Sequence, residues 1–335
     1  MLGAQKLDTR GPLRALGIEG LAMLAPMSGV SDLAMRRIAQ RFGAALVFSE
    51  MVAAEAYLED DAEALTRAEG EGISRHAVQL IGREPEPLAE TARRVEAAGA
   101  AIIDINMGCP ARRVAGALAG AALMRDLDHA ERLIGAVVAA VSVPVTLKMR
   151  LGWDATSQNA PELARRAQQA GVRMASVHAR TRMQFYDGHA DWQAARAVVE
   201  AVDIPVVVNG DCAGVEDARA MLRQSGAHAV MIGRAAVGTP WLVGQVSRAL
   251  AEDCPPCEPD AAAKRDAALE HLDWLIGKLG AGAGLRHARK HLAAYGDAAG
   301  APGHLRRELV TTDNPRRAFA MLAEIFDPEP ARAAA

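Results

Sequence analysis

Chemistry in this chain gathers first at one thiol. The stretch from Ile102 to Pro110 reads IIDINMGCP: an apolar, strand-type run stops at Asn106, and a small-residue turn then presents Cys109. Proline follows at once, and its fixed φ suits the first turn of a helix, so a helix is predicted to open at Pro110. A cysteine at the C-terminal end of a buried strand stands where α/β enzymes place their reactions. It is equally a small apolar side chain, because free cysteine is among the most buried residue types. On this stretch alone, packing and catalysis weigh the same.

Other apolar runs end in polar residues in the same manner. They read APMSG at Ala25 to Gly29, SEM at Ser49 to Met51, and HAVQLIG around Gln79. Lys148 and Arg150 end PVTLKMR, His178 and Arg180 end MASVHAR, NGD spans Asn209, Gly210 and Asp211, and Gly233 precedes Arg234. A polar group inside a strand is costly unless it bonds something, and all of these fall at one end of their segments. Together they mark a site; singly, each reads as a satisfied structural residue. The last two loops combine glycines with an arginine, so backbone N–H groups can approach a phosphate closely and Arg234 can fork onto it. Lys148 and Gln79 lie deeper, suited to the polar edge of a planar heterocycle. No HxH, HExxH or carboxylate cluster occurs at these ends, so no metal site is expected. A phosphate grip, a cation near a ring and no metal together suggest FMN, which would carry the redox chemistry while the protein orients it.

Eight segments must position these ends: Leu21 to Met27, Ala45 to Met51, His76 to Gly82, Ile102 to Cys109, Pro144 to Arg150, Met174 to Arg180, Pro205 to Asp211 and Ala229 to Ala235. They lack polar alternation, as strands buried on both faces do. Between them lie helix-type segments such as Pro85 to Ala98, Ala130 to Val141, Ala160 to Ala170 and Val215 to Gln224. Gly43, Gly99, Gly171 and Gly226 stand where left-handed C-caps are needed. The pattern predicts a (β/α)8 TIM barrel over residues 13–253, behind a flexible N-terminus at 1–12. A doubly wound sheet is the rival, but no GxGxxG turn follows the first strand. Past Trp241 the strand signal ends. A Pro/Cys linker at 254–259 leads to a small all-helical domain at 260–327 and a flexible tail at 328–335. Leu272, Leu275, Ile276 and Leu279 are predicted to share one face of its first helix.

Composition bounds the setting. Of 335 residues, half are hydrophobic and only 4% aromatic, so Ala, Val, Leu, Ile and Met must build the core. The four cysteines, Cys109, Cys212, Cys254 and Cys257, are too few for a disulfide framework in a chain this long. With no secretory pattern and no apolar run near the roughly 20 residues that span a bilayer, a cytoplasmic protein away from membranes is expected. The CPPC pair, without a second pair, reads as linker rather than zinc site. A net charge of −3 hides an uneven distribution. Residues 52–72 carry seven acids against Arg67, whereas residues 282–317 carry seven Lys/Arg against three acids. A local basic face of that kind can hold a polyanion.

LAPMSGVSD, SEM, VQLIG, DINMGCP, VTLKMRLGW, VHARTRMQFYDGHADW, VNGD and MIGRAAVGTPW occur in this order. They closely resemble the bacterial tRNA-dihydrouridine synthases. The B-type branch, also described as nitrogen-regulation-like proteins, is nearest, and LRHARKHLAAY resembles that branch's helical domain. The likeness runs from about residue 13 to 325. It implies an FMN enzyme that reduces the C5–C6 bond of a uridine in the tRNA D-loop, with NADPH as transient reductant. Pro26, Met27 and Ser28 would line the isoalloxazine; Gln79 and Lys148 would contact its pyrimidine edge. Asn209, Gly210, Asp211, Gly233 and Arg234 would hold the ribityl phosphate, with His178 beside the flavin. Asn106 and Arg180 would meet the substrate, and the resemblance points modestly to uridine 17. Ala179, Cys212 and Ala121 depart from the family's usual Gly, aliphatic and Ser without removing a group from this chemistry.

The implied reaction is physically coherent. Hydride from flavin N5 to uracil C6 needs the two rings at near-attack distance. The enolate then needs a proton at C5, and Cys109 can give it, since a free thiol with pKa near 8.5 is mostly protonated at neutral pH. A helix opening at Pro110 would lower that pKa and the apolar strand would raise it. Lys148 would stabilise the anionic reduced ring. The target base must leave its stack to be reached. Arg286, Arg289 and Lys290, with Arg306, Arg307, Arg316 and Arg317, form the candidate tRNA surface, whose alternative is a solvated helix face; Arg112 and Arg113 lie close to the thiol. A monomer is expected. Two rivals are a reductase of free pyrimidines, which would not need residues 255–335, and a non-catalytic RNA-binding protein, which would not need Cys109.

Overall fold

The computed structural model describes residues 11–116 and 118–326; the predicted flexible ends fall largely outside that range. Eight parallel strands alternate with helices: β1 (Ala22–Leu24), β2 (Phe48–Ala53), β3 (Ala77–Ile81), β4 (Ile102–Met107), β5 (Val145–Arg150), β6 (Met174–His178), β7 (Val206–Asn209) and β8 (Ala229–Ile232). They run in the order β1-β8-β7-β6-β5-β4-β3-β2. A parallel bridge from Leu24 to Val47 joins the two ends and closes the ring. This is the (β/α)8 barrel expected from the strand pattern. Each strand is one to four residues shorter than its apolar segment; β1, β4, β6, β7 and β8 give up end residues to the loops, whereas β5 keeps Lys148 and Arg150 and β2 runs on to Ala53.

Helix signals are local and readable. Pro85 and Pro161 occupy the first turns of the helices Pro85–Ala97 and Ala160–Gln169, where a missing N–H costs nothing. Asp126 caps the helix Leu127–Ala140 by accepting from the His129 N–H at 3.0 Å. Gly226 ends Val215–Ser225 at φ +72°, and Gly43, Gly99 and Gly171 lie just past their helices at φ between +101° and +105°. Two short helices after β2, Ala54–Leu58 and Ala62–Ala68, were not anticipated. Their acidic surface hides the period, and Asp61 caps the second. The β6–β7 connection holds only the one-turn helix Arg196–Val199.

Strand period sorts the core. Met23, Phe48, Ala77, Ile102, Met174, Val207 and Ala229 form one buried cluster with Leu13 and Ile18. It fills the barrel at its N-terminal end. The alternate residues Ile103, Ile105, Leu147, Met149, Ala175 and Val177 belong to a separate cluster with the surrounding helices. Farther up β3, β4 and β5 the inward positions turn polar: Gln79, Asp104 and Thr146 are register neighbours, as are Asn106 and Lys148.

Four helices follow the barrel: Ala261–Leu279, Ala281–Ala298, Gly303–Thr311 and Pro315–Phe326. Leu272, Leu275, Leu285, Leu292, Tyr295, Leu322 and Phe326 pack with Ile38 and Trp241 of the barrel. Leu279 departs from the predicted face; it is 40% exposed at the helix end, where the chain turns at Gly280. Residues 254–260 carry no helix or strand, and Cys254 and Cys257 are both free thiols. Asp32, at the start of the helix Leu33–Arg41, accepts from His271 Nε2 at 3.0 Å across the seam. No helix among the described residues is long and apolar enough to cross a membrane.

Candidate active site

The C-terminal strand ends enclose a cavity of about 790 Å3, within the range of roughly 300–1,000 Å3 common for ligand sites. Pro26, Met27, Ser28, Gln79, Asn106, Cys109, Lys148, His178, Asn209, Gly210, Asp211, Gly233 and Arg234 all line it. Thus the motifs converge on one wall-to-wall site, although they span more than half the chain.

Cys109 sits just beyond β4. Asn106 Oδ1 accepts from the Gly108 and Cys109 N–H groups at 3.0 and 2.9 Å, which folds the turn back on the strand end. The helix expected from Pro110 begins instead at Arg112 and ends at Gly116. So short a helix, starting three residues on, gives the thiol little dipole. Burial pushes the Cys109 thiol above its ordinary value, against the opposing Ala111 N–H, Arg150 and Lys148. The tension left open by the sequence is resolved toward a protonated thiol.

Lys148 and Asn209 meet at 3.3 Å, Nζ donating to Oδ1. Asn209 is fixed by donating to the Met231 carbonyl at 2.8 Å. One long bond leaves a buried ammonium short of partners, and burial together with Arg150 lowers the Lys148 pKa to about 8. His178 is held well below its usual value by burial first and then by Lys148, Arg150, Arg180 and Arg234, so its ring is neutral. Arg180 Nη1 approaches His178 Nε2 at 3.4 Å. A guanidinium only donates, so Nε2 accepts and the ring proton belongs on Nδ1.

At the other end, Asp211 Oδ2 accepts from Arg180 at 2.6 Å and from the Ala190 N–H at 2.8 Å, while Oδ1 accepts from Arg234 at 3.1 Å. Burial pushes the Asp211 carboxyl up, but these bonds outweigh it and hold the carboxyl below its ordinary value. Its carboxylate is thus spent on cations; an anion here would meet backbone N–H groups and the remaining nitrogens of the exposed Arg234.

Several predicted residues lie elsewhere. Arg180 is off the cavity wall, 1% exposed, and its other donors go to the Asp187 and Gly188 carbonyls. It braces His178 and Asp211 from behind the wall. Of the three basic residues assigned to tRNA, Lys290 reaches the loop after β1, where a Cβ on Gly29 would lie 3.4 Å from its Nζ. Arg289 is paired with Asp313 at 2.8 Å, and Arg286 is exposed. Arg306 and Arg317 are likewise paired, with Asp297 and Glu308, which thins the basic face. Arg112 and Arg113 are exposed beside the cavity mouth.

Other contributors carried no assigned role. Arg150 lines the cavity and ties two loops together, donating to Gly108 O at 2.9 Å and to Thr181 and Phe185 O at 2.8 Å. Tyr186, half exposed at the mouth, lies under the Arg234 and Arg150 guanidinium groups at 4.9 and 5.5 Å. Asp104 is fully buried below Gln79. An acid inside IIDINM was the available signal, since a charge in an apolar strand needs a dedicated set of partners.

The family model described as dihydrouridine synthase (Dus) matches residues 23–328. The chain belongs to the dihydrouridine synthase family. A "probable tRNA-dihydrouridine synthase" of Rhodobacter capsulatus is 49% identical over 317 residues, 94% of this chain and 97% of that protein. A "tRNA-dihydrouridine synthase B" of Xanthomonas axonopodis pv. citri is 43% identical, covering 91% and 92%. Among solved structures, histamine dehydrogenase from Rhizobium sp. 4-9 superposes with a TM-score of 0.52 at 13% identity. That likeness covers 77% of this chain and 48% of the other, and concerns the barrel fold alone. The B-type resemblance read from the motifs accords with these relatives. As a dihydrouridine synthase family member the chain is an oxidoreductase.

Proposed function

We propose that this protein reduces the C5–C6 double bond of a D-loop uridine in tRNA, with FMN held in the strand-end cavity and NADPH as the reductant. The observation that carries the reading is that the Cys109 thiol and the Lys148 ammonium, which donates to Asn209 at 3.3 Å, line the same strand-end cavity. The donor set fits a flavin phosphate and ring: glycine-rich turns and Arg234 at one end, Lys148 and Gln79 deep in the middle. FMN, when bound, would supply the two-electron reduction.

The chain's own residues then have separable tasks. Lys148 and Gln79 would hold the electron-rich edge of the ring, and Pro26, Met27 and Ser28 would pack along it. Gly210, Gly233, Asn209 and Arg234 would hold the phosphate end, with Asp211 aiming Arg234. Neutral His178 would offer Nδ1–H beside the ring without adding charge. Cys109 would give its proton to C5 of the uracil, and burial keeps that proton in place at neutral pH. Asn106 would orient both the thiol turn and the base. Lys290, at the mouth, and Arg286 would meet tRNA phosphates.

The test is dihydrouridine content, by mass spectrometry, in tRNA from a strain lacking the gene. Restoration by the wild-type copy and loss with Cys109→Ala is expected. Full restoration by Cys109→Ala, or a purified protein without flavin absorbance, would overturn the reading. Activity surviving deletion of residues 255–335 on free uracil would favour a pyrimidine reductase instead.

A further inference from the structure

Beneath the cavity runs a chain of hydrogen bonds that starts at a charge and ends at the thiol turn. Asp104 has no exposed surface, and its two oxygens accept from its register neighbours. Thr146 Oγ1 donates to Oδ1 at 2.6 Å, and Gln79 Nε2 donates to Oδ2 at 2.6 Å. Gln79 Oε1 in turn accepts from Asn106 Nδ2 at 2.7 Å. Asn106 Oδ1 then accepts from the N–H groups of Gly108 and Cys109.

The direction of this chain is forced from both ends. Burial pushes the Asp104 carboxyl up to about 6, so above that pH it is a carboxylate that only accepts, and Gln79 must turn its amide nitrogen toward it. Backbone N–H groups only donate, so Asn106 must turn its oxygen toward the thiol turn. The two amides between these ends then meet oxygen to nitrogen, and every link is satisfied. Reversing either amide would set donor against donor in a buried place, which costs more than the bond is worth.

We propose that Asp104 is a positioning residue for Cys109, acting through Gln79 and Asn106. The inference rests on the reading of Cys109 as the proton donor and adds what holds it in register. Without Asp104, Gln79 Nε2 is left buried with no acceptor, and the side chain gains by swinging into the cavity. Asn106 Nδ2 then loses its partner, and Asn106 Oδ1 no longer has a fixed aim at the turn. The turn opens and Cys109 becomes more exposed. The same swing would disturb the amide that Gln79 presents to the ring edge. Only an acceptor facing Gln79 is needed at position 104. Asparagine supplies it with Oδ1, while its Nδ2 donates to Thr146 Oγ1, since a hydroxyl can accept as well as donate.

The readout is the pH profile of Cys109 alkylation by iodoacetamide, resolved by peptide mass spectrometry on the protein as purified. Cys254 and Cys257 in the linker serve as internal references in every sample. In wild type burial holds the Cys109 midpoint above the ordinary thiol value. Asp104→Leu is expected to bring it down by about one pH unit, a change of about tenfold in rate near neutral pH. Asp104→Asn should keep the wild-type profile. Gln79→Met cuts the chain at its middle link with a side chain of similar size, and should shift the profile as Asp104→Leu does. It carries the test if Asp104→Leu fails to fold.

A wild-type profile in a folded Asp104→Leu or Gln79→Met protein would reduce Asp104 to a packing role and overturn the proposal. A shift in Asp104→Asn as large as in Asp104→Leu would also overturn it, because charge rather than an acceptor would then be the cause. The measurement uses neither tRNA nor turnover. An Asp104-dependent thiol in a protein that makes no dihydrouridine would sink the activity reading and leave the positioning role standing; the converse outcome would do the reverse.

Discussion

Removing the Asp32 carboxylate should cost this protein about 3–5 kcal/mol, the range for deleting one partner of a buried, hydrogen-bonded pair. The figure follows from what the carboxylate holds. Its Oδ1 accepts from the Met35 N–H at 3.0 Å, capping Leu33–Arg41, and such a cap contributes about 1 kcal/mol. Its Oδ2 accepts from His271 Nε2 at 3.0 Å, and His271 Nδ1 lies 3.0 Å from the Tyr295 hydroxyl. His291 Nε2 stands 3.6 Å from the same oxygen and has no other partner. Truncation would leave imidazole nitrogens buried without an acceptor, each costing about 1–3 kcal/mol. Because the links share atoms, these contributions do not add, and the total stays near the pair value. The assay is urea unfolding of wild type, Asp32→Ala, His271→Leu and the double variant at pH 7. A coupling energy of about 1.5–3 kcal/mol is expected from a hydrogen bond to a charged group. A pH series gives a second check. Burial pushes the Asp32 carboxyl up, but His271, His291 and the Met35 N–H outweigh it and hold it well below the ordinary carboxylate range. A depressed carboxyl contributes stability that is fully present above the unfolded pKa near 3.9 and lost as pH falls further. Wild type and Asp32→Ala should therefore converge in acid. A coupling energy near zero at pH 7, or a stability gap that widens in acid, would refute the reasoning.

The cavity yields two more tests and the basic helical surface a third. Lys148 is cationic below its lowered pKa of about 8, so FMN affinity of the wild type should weaken as pH rises through that value; Lys148→Met should bind weakly at every pH, and a parallel pH response in the variant would contradict this. Gly210 has φ +124°, and a Cβ there would lie 2.8 Å from Ala190 Cβ and 3.2 Å from His178 Cδ2. Gly210→Ala should therefore lose at least about 1 kcal/mol in thermal unfolding and weaken flavin binding, and a wild-type melting curve would count against it. Reversing charge at Lys290 and Arg286 should lower tRNA affinity and flatten its salt dependence by roughly 0.7–0.9 in slope for each phosphate no longer neutralised. Arg289→Glu should do less, because Asp313 already occupies that guanidinium; equal effects at all three would argue against a phosphate path over Lys290.

Much of this was legible in the sequence because strand period and loop chemistry are local properties. Buried parallel strands read as unbroken apolar runs, and Gly43, Gly99, Gly171 and Gly226 punctuated them where a left-handed residue was needed. Most cavity residues were legible for the same reason: an inward-facing polar side chain near the end of such a run projects to the barrel mouth. What stayed hidden depends on partners far apart in the chain. Nothing local distinguishes Arg180, turned behind the wall onto Asp211, from Lys148, turned into the cavity. The basic helices looked more exposed in charge than they are because Asp297, Glu308 and Asp313 pair across turns. The Asp32–His271 contact joins residues 239 apart in sequence, beyond any period or motif.

The direction of the Cys109 pKa turned on which of two local influences prevails, and distance decides it. A dipole acts within a turn of the helix end, whereas the helix here starts three residues past the thiol and is only five residues long. Burial acts on the sulfur directly. Pro110 therefore serves a different end from the one its type suggests. Lacking an N–H, it adds no donor to a turn whose acceptor, Asn106 Oδ1, already takes the Gly108 and Cys109 N–H groups. The turn can then be held by one amide, and whatever fixes that amide fixes the thiol. A proton donor needs a high pKa and a fixed position at once. On the reading proposed for Cys109, burial would supply the first and the polar chain from Asp104 the second, both at the end of one strand.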